Sequence, residues 1–221
     1  MGDRWATFDC YGTLVDWNGG IRRELMRLFG EGAAQDLLES YHRIEPRVQQ
    51  EEPSLAYREV MARVLAELAK ECDEPLSDDE CDALGRSLPD WPVFAEVPGS
   101  LAEARERGWK LGILSNSDRD LIEASMERLG VPFDLAVVAG EIGSYKPAHR
   151  HWEAFYEQTG ADREHHVHVA QSHHHDIVPA AELGIQSIWI NRLAERRDPA
   201  PTRELQDLSG LADTLDELVA R

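Results

Sequence analysis

The stretch that decides the fold is Trp5-Ala6-Thr7-Phe8-Asp9-Cys10-Tyr11-Gly12-Thr13-Leu14-Val15, near the start of the chain. An apolar run that ends in a carboxylate, followed by Gly-Thr, reads as a buried strand carrying Asp9 to its tip, with a sharp turn behind it. A carboxylate held at a strand tip beside a cation can act as a covalent nucleophile. Outward from this stretch the pattern is helical to about residue 90, and beyond that strands and helices alternate.

The helical part reads as an insert. Residues 21–29 have apolar side chains at helical spacing, with Gly30 as a stop. Residues 37–44 make a second helix, which Pro46 is expected to kink or end. Residues 55–68 give a third with Ser54 as its cap, and Ser77-Asp78-Asp79-Glu80 is a capping box opening a fourth. Pro89-Asp90-Trp91-Pro92, continuing to Pro98-Gly99, reads as the return hinge. The expected division is therefore an α/β core of residues 1–15 and 95–221 around a helical cap of residues 16–94.

Past the hinge, Ser100 is expected to cap a helix that Gly108 ends. Strands are expected at 110–114, 135–138, 167–170 and 187–190, with helices from Asp118 to Gly130, from Ala148 to Thr159, and ending at Gly184. Such alternation implies a doubly wound parallel sheet with crossover helices. Ligands of such sheets sit at the carboxyl ends of the strands, and there the conspicuous polar residues fall: Asp9, Ser115-Asn116, Lys146 and Asp176.

These residues carry a resemblance. Asp9-x-Tyr11-Gly12-Thr13-Leu14 resembles the nucleophile motif of the haloacid dehalogenase (HAD) superfamily. Ser115-Asn116-Ser117 resembles its second motif, Tyr145-Lys146-Pro147 its third, and Gln171-Ser172-His173-His174-His175-Asp176 occupies the place of its fourth. Phosphatases of the superfamily carry a general-acid aspartate where this chain has Tyr11, and a magnesium carboxylate where it has Gln171. Tyrosine at position 11 is similar to the 2-haloacid dehalogenases.

The resemblance implies a HAD-like, Rossmann-like core with a helical cap, no cofactor and no metal. It implies that Asp9 attacks carbon 2 of a short 2-haloalkanoic acid, expelling halide, and that Asp176, with His173, activates the water that cleaves the ester. Lys146 and Thr13 would position Asp9. Tyr11, Ser115, Asn116 and a cap arginine, Arg43 or its rival Arg47, would hold the substrate and halide. A halide departs without a proton, so no general acid is needed at position 11. The alternatives are a magnesium-dependent phosphatase of small phosphomonoesters and a carbon–nitrogen ring hydrolase using the same ester. Relatives with such a cap are often homodimers.

Three consecutive histidines suggest a metal, but adjacent residues do not all face one ion unless the loop is irregular. The expectation is that His173 or His175 lines the pocket, and that His165, His166 and His168, which flank a strand, are structural. Trp17 and Trp91 are expected to border the pocket.

Composition bounds the partners. The chain of 221 residues is long enough for a substantial core, and its net charge of −19 argues against nucleic acid and anionic membrane surfaces. A site for a small anionic substrate must then be locally basic. No apolar run approaches the roughly 20 residues that span a bilayer, and no secretory signal is read at the N-terminus. Three cysteines without metal-ligand spacing, Cys10, Cys72 and Cys81, suit reduced thiols in a cytoplasm.

Overall fold

The computed structural model describes residues 2–220. Six strands, β1 (Arg4–Phe8), β2 (Trp109–Ser115), β3 (Leu135–Val138), β4 (His166–Ala170), β5 (Gln186–Ile190) and β6 (Arg203–Leu205), form one sheet in the order β3-β2-β1-β4-β5-β6. Every pairing is parallel. β1 lies at the centre and all its residues are buried, which is why apolar residues dominate it on both faces instead of alternating with solvated ones. From β1 the chain moves outward to β2 and β3, then returns to β4 on the other side. The topological switch therefore falls between β1 and β4, and the crevice it opens lies at their carboxyl ends.

Four helices lie between β1 and the rest of the sheet: α1 (Trp17–Phe29), α2 (Ala34–Glu51), α3 (Tyr57–Glu71) and the short α4 (Ala83–Ser87). Asp16 caps α1 by accepting from Gly19 N at 2.9 Å. Gly20 allows Trp91 to lie against α1, since a Cβ there would come within 2.2 Å of the indole. The two connections to the helices run side by side, with Asp16 N donating to Pro92 O at 2.8 Å and Phe94 N to Leu14 O at 3.1 Å.

Local signals and structure part in several places. Pro46 neither ends α2 nor stops it from continuing to Glu51, because the buried face of Tyr41, Ile44 and Val48 holds the helix through the missing hydrogen bond. Only half of the Ser77–Glu80 box forms: Ser77 N donates to Glu80 Oε2 at 3.0 Å, but Ser77 Oγ donates to the same oxygen at 2.6 Å instead of accepting from Glu80 N, and turns follow until α4 begins at Ala83. The cap of α3 is not Ser54: the amides of Tyr57 and Arg58 donate to Asp118 Oδ1 and Oδ2, each at 3.0 Å, so a distant loop caps this helix.

Crossover helices α5 (Val97–Glu106), α6 (Arg119–Leu129), α8 (Arg150–Thr159), α9 (Val178–Glu182) and the final α10 (Leu211–Leu218) cover the sheet, with a four-residue α7 (Ala139–Ile142) after β3. α5 starts before the expected Ser100, with Pro98 in its first turn. β6 was not expected; it is a three-residue edge strand without a buried face. Among the described residues, no helix is long and apolar enough to cross a membrane.

Candidate active site

Asp9 follows β1, and its carboxylate is held at both oxygens. Thr13 Oγ1 donates to Oδ2 at 2.8 Å, and Lys146 Nζ donates to Oδ1 at 3.0 Å. Gly12, with φ of 92°, makes the turn that brings Thr13 back to Asp9. Lys146 is 2% exposed, and its ammonium also donates to Asp176 Oδ1 at 2.7 Å and to Leu114 O at 2.8 Å. Asn116 fixes the backbone of Lys146 from both sides: its Oδ1 accepts from Lys146 N at 2.6 Å and its Nδ2 donates to Lys146 O at 3.0 Å. One ammonium is thus shared by two buried carboxylates.

The sharing is unequal. Burial raises the carboxyl of Asp9, aided by the charge of Asp176, and outweighs Lys146 and Thr13, so it lies above the ordinary value. Burial also acts on Asp176, but Lys146 and His168 overcome it and hold that carboxyl well below the usual range. For Lys146 the burial cost is outweighed by the two carboxylates, which leave the ammonium above an ordinary lysine. Asp176 is therefore a persistent anion. Its Oδ2 is buried without a hydrogen-bond partner among the described residues.

Asp9, Lys146 and Asp176 open on a cavity of about 620 Å³, which Tyr11, Ser115, Asn116 and Gln171 also line. Trp17, Tyr57 and Phe94 supply apolar wall, and His42 stacks on Trp17 with ring centroids 5.1 Å apart. Tyr11 presents its ring but not its hydroxyl, which donates to Leu121 O at 3.2 Å and lies 3.0 Å from Ser125 Oγ. Burial first, then the charge of Cys10, hold this phenol far above its ordinary value, so it offers no acid at neutral pH.

Four expected residues lie elsewhere. Arg43 is exposed, donates to Ser40 Oγ and to Glu71 Oε1 at 3.0 and 3.3 Å, and does not line the cavity. Arg47 is likewise paired outward, with Glu51 and Glu67. At about 100° per residue, the cavity face of α2 is His42, Glu45, Pro46 and Gln49, which turns positions 43 and 47 away. His173 donates from Nε2 to Pro199 O at 2.8 Å and packs edge-on against Trp189; His174 and His175 line the cavity instead. The cause is a π-helical turn over His173–Ile177, which rotates the run. Trp17 borders the cavity, whereas Trp91 is buried behind it.

Of the lining residues that were not anticipated, two bear on the chemistry. Arg192, just beyond β5, stacks its guanidinium 3.6 Å over Phe94, donates to Thr13 O at 2.9 Å and Glu96 Oε1 at 2.7 Å, and keeps Nε buried without a partner among the described residues. Its position at a strand end was the available signal. Glu45 is the other: burial raises it to about 7, against hydrogen bonds from Tyr57 and Gln49. No local pattern marks it.

A parallel sheet with a carboxylate, a lysine and a second carboxylate at its strand ends, facing a cavity closed by inserted helices, defines a Rossmann-like α/β hydrolase. The chain belongs to the haloacid dehalogenase-like hydrolase family, whose model matches residues 4–184. It is 33% identical over 141 residues to an (S)-2-haloacid dehalogenase of Pseudomonas sp. (strain YL), a match that covers 62% of this chain and 59% of that protein. It is 28% identical to a phosphoserine phosphatase of Thermus thermophilus, over 57% of this chain and 51% of that one. The chain thus spans between half and three fifths of the length of these two relatives. An L-2-haloacid dehalogenase from Xanthobacter autotrophicus, with chloropropionic acid covalently bound, superposes with a TM-score of 0.86 at 16% identity, over 96% of this chain and 98% of that one. This last likeness is one of fold.

Proposed function

We propose that this hydrolase is a 2-haloacid dehalogenase that converts a short 2-haloalkanoic acid to the 2-hydroxy acid through an ester on Asp9. The observation that carries the reading is the shared-lysine pair, Asp9 and Asp176, beside a Tyr11 hydroxyl turned away from the cavity. An Asp9 oxygen attacks carbon 2 and the halide leaves with the bonding electrons. Water then gives a proton to Asp176 Oδ2 as its oxygen adds to the Asp9 carbonyl carbon. Collapse expels the alkoxide, which takes the proton back from Asp176 and leaves as the hydroxy acid, and Asp9 gives its remaining proton to solvent. Lys146 and Thr13 orient Asp9, Ser115 and Arg192 face the substrate carboxylate, and the inserted helices act as a cap. Its place in the cavity lining, with Asp9 and Ser115, supports giving Arg192 the role expected of a cap arginine. Unpaired cysteines support a cytoplasmic setting.

The donor set does not suit magnesium. That ion prefers hard anionic oxygens in an octahedron. Here both carboxylates are drawn to Lys146, Gln171 stands between them in sequence, and no group of three His, Cys, Asp or Glu among the described residues is placed to hold a metal. The test is halide release from (S)-2-chloropropionate with EDTA present. Release by the wild type and none by Asp9→Asn is expected. No release by either protein would refute the proposal, and turnover of azetidine-2-carboxylate would then favour the carbon–nitrogen reading.

A further inference from the structure

Beneath Asp176 runs a row of polar side chains that the reaction described above does not use. His168 Nε2 lies 2.9 Å from Asp176 Oδ1, and His168 Nδ1 lies 2.8 Å from Thr7 Oγ1. Thr7 Oγ1 is also 2.7 Å from His166 Nε2, and His166 Nδ1 is 2.7 Å from the hydroxyl of Tyr156. Thr7, His166 and His168 are wholly buried. They lie on one face of β1 and β4, where Thr7 is in register with His168, and α8 covers them with Trp152 and Phe155 against the two imidazoles.

Counting donors gives the row a direction. An ionised Asp176 only accepts, so His168 Nε2 carries the hydrogen. Nδ1 of a neutral ring is then an acceptor, and the hydroxyl of Thr7 donates to it. Thr7 Oγ1 accepts in turn from His166 Nε2, and His166 Nδ1 accepts from Tyr156. This arrangement satisfies every contact with both rings neutral. Burial holds His166 well below the ordinary histidine value and Tyr156 up at about 12, which agrees with a neutral imidazole and a protonated phenol. The opposite direction would set the lone pair of His168 Nε2 against a carboxylate.

We propose that Thr7, His166 and Tyr156 are positioning residues that fix the ring of His168, whose Nε2–H faces Asp176, and that His168 thereby holds Asp176 by Oδ1 and leaves Oδ2 free for ester hydrolysis. Lys146 and His168 together occupy Oδ1, which leaves Oδ2 as the oxygen able to take the proton of water. The inference rests on the dehalogenase reading and adds a division of labour to it. The row touches Asp176 and makes no hydrogen bond to Asp9, so it serves the hydrolytic half-reaction and not the displacement of halide.

The experiment is a rapid-quench single turnover of (S)-2-chloropropionate, reading halide and, by intact-protein mass spectrometry, the ester on Asp9. Thr7→Val keeps the shape of the side chain and deletes the hydroxyl; Thr7→Ser restores it. In the Val variant, halide release at the wild-type rate and ester hydrolysis slowed about 10–100-fold are expected, by analogy with loss of the hydrogen-bond partner that orients a metal-ligating histidine. The Ser variant should recover hydrolysis. Tyr156→Phe, at the partly exposed end of the row, should slow the same step by less, and remains informative if Thr7→Val folds poorly. Imidazole ¹⁵N shifts should show His168 Nδ1 losing its hydrogen bond in Thr7→Val, while Nε2 keeps the hydrogen that Asp176 requires. An unchanged Nδ1 shift, hydrolysis at the wild-type rate, or equal slowing of both half-reactions would overturn the proposal. Absence of halide release from the wild type would instead refute the dehalogenase reading itself, before any variant is compared.

Discussion

Replacing Glu45 by Gln should make the stability of this protein less sensitive to alkali. Glu45 is 6% exposed, on the cavity face of α2, where Gln49 Nε2 donates to its Oε1 at 2.9 Å. Burial raises it from 4.5 to about 7, so the folded state holds its proton more tightly than the unfolded chain does. The favourable contribution is complete below about pH 4.5 and is lost as pH rises through 7, because the carboxyl then ionises while desolvated. The full displacement corresponds to about 3 kcal/mol at 1.36 kcal/mol per pH unit, of which roughly 2.5 kcal/mol falls between pH 5 and 8. Gln has nearly the same shape and no titration. Glu45→Gln should therefore gain about 2–3 kcal/mol relative to wild type on going from pH 5 to pH 8, read by urea unfolding at both values. In a chain of 221 residues this is about 5–10 °C in the thermal midpoint. An advantage of Gln that is equal at the two pH values would refute the assignment of a buried, proton-holding Glu45. The same titration bears on function, since above pH 7 the cavity would gain a negative charge facing an anionic substrate; KM should rise there for wild type and stay flatter for the variant.

Asp118→Ala removes the carboxylate that caps α3 from another part of the chain, and should cost about 1–2 kcal/mol in chemical denaturation. A loss under about 0.3 kcal/mol would show that solvent replaces the cap without penalty, within the scatter of exposed substitutions. Arg192→Met should raise KM for (S)-2-chloropropionate about 10–100-fold with a smaller change in kcat, as expected for one charge-assisted hydrogen bond of about 1.5–3 kcal/mol. An unchanged KM, in a variant whose thermal midpoint is also unchanged, would remove Arg192 from the substrate site.

The strands legible in the sequence are those whose burial is nearly complete. β1 to β5 are mostly apolar because both faces of a parallel sheet are covered, although Thr7, His166 and His168 place polar side chains in the buried layer. β6 has no apolar run, being an exposed edge, so only its neighbour β5 makes it a strand. Helix signals were less dependable where packing overrides them. α2 passes through Pro46 because its buried face outweighs one lost hydrogen bond, and the box at Ser77 is not followed directly by helix because residues 78–82 are largely exposed. α3 takes its cap from Asp118, a choice that no local window contains.

For the candidate site the division follows the range of the interactions. The sequence by itself determined that Asp9, Lys146 and Asp176 converge, since parallel topology brings strand ends to one edge and each of these residues follows a strand or a crossover turn. It also determined that position 11 carries no carboxylic acid. Only the tertiary structure decided which side of α2 faces the cavity, and with it that Glu45 looks inward while Arg43 and Arg47 look out. It likewise decided that His168 supports Asp176 while His173 turns to Pro199. Helical rotation, burial and hydrogen-bond partnership depend on residues far apart in the chain, and histidine and glutamate change character with each of them. A strand tip is a local fact; the environment of a titratable side chain is not.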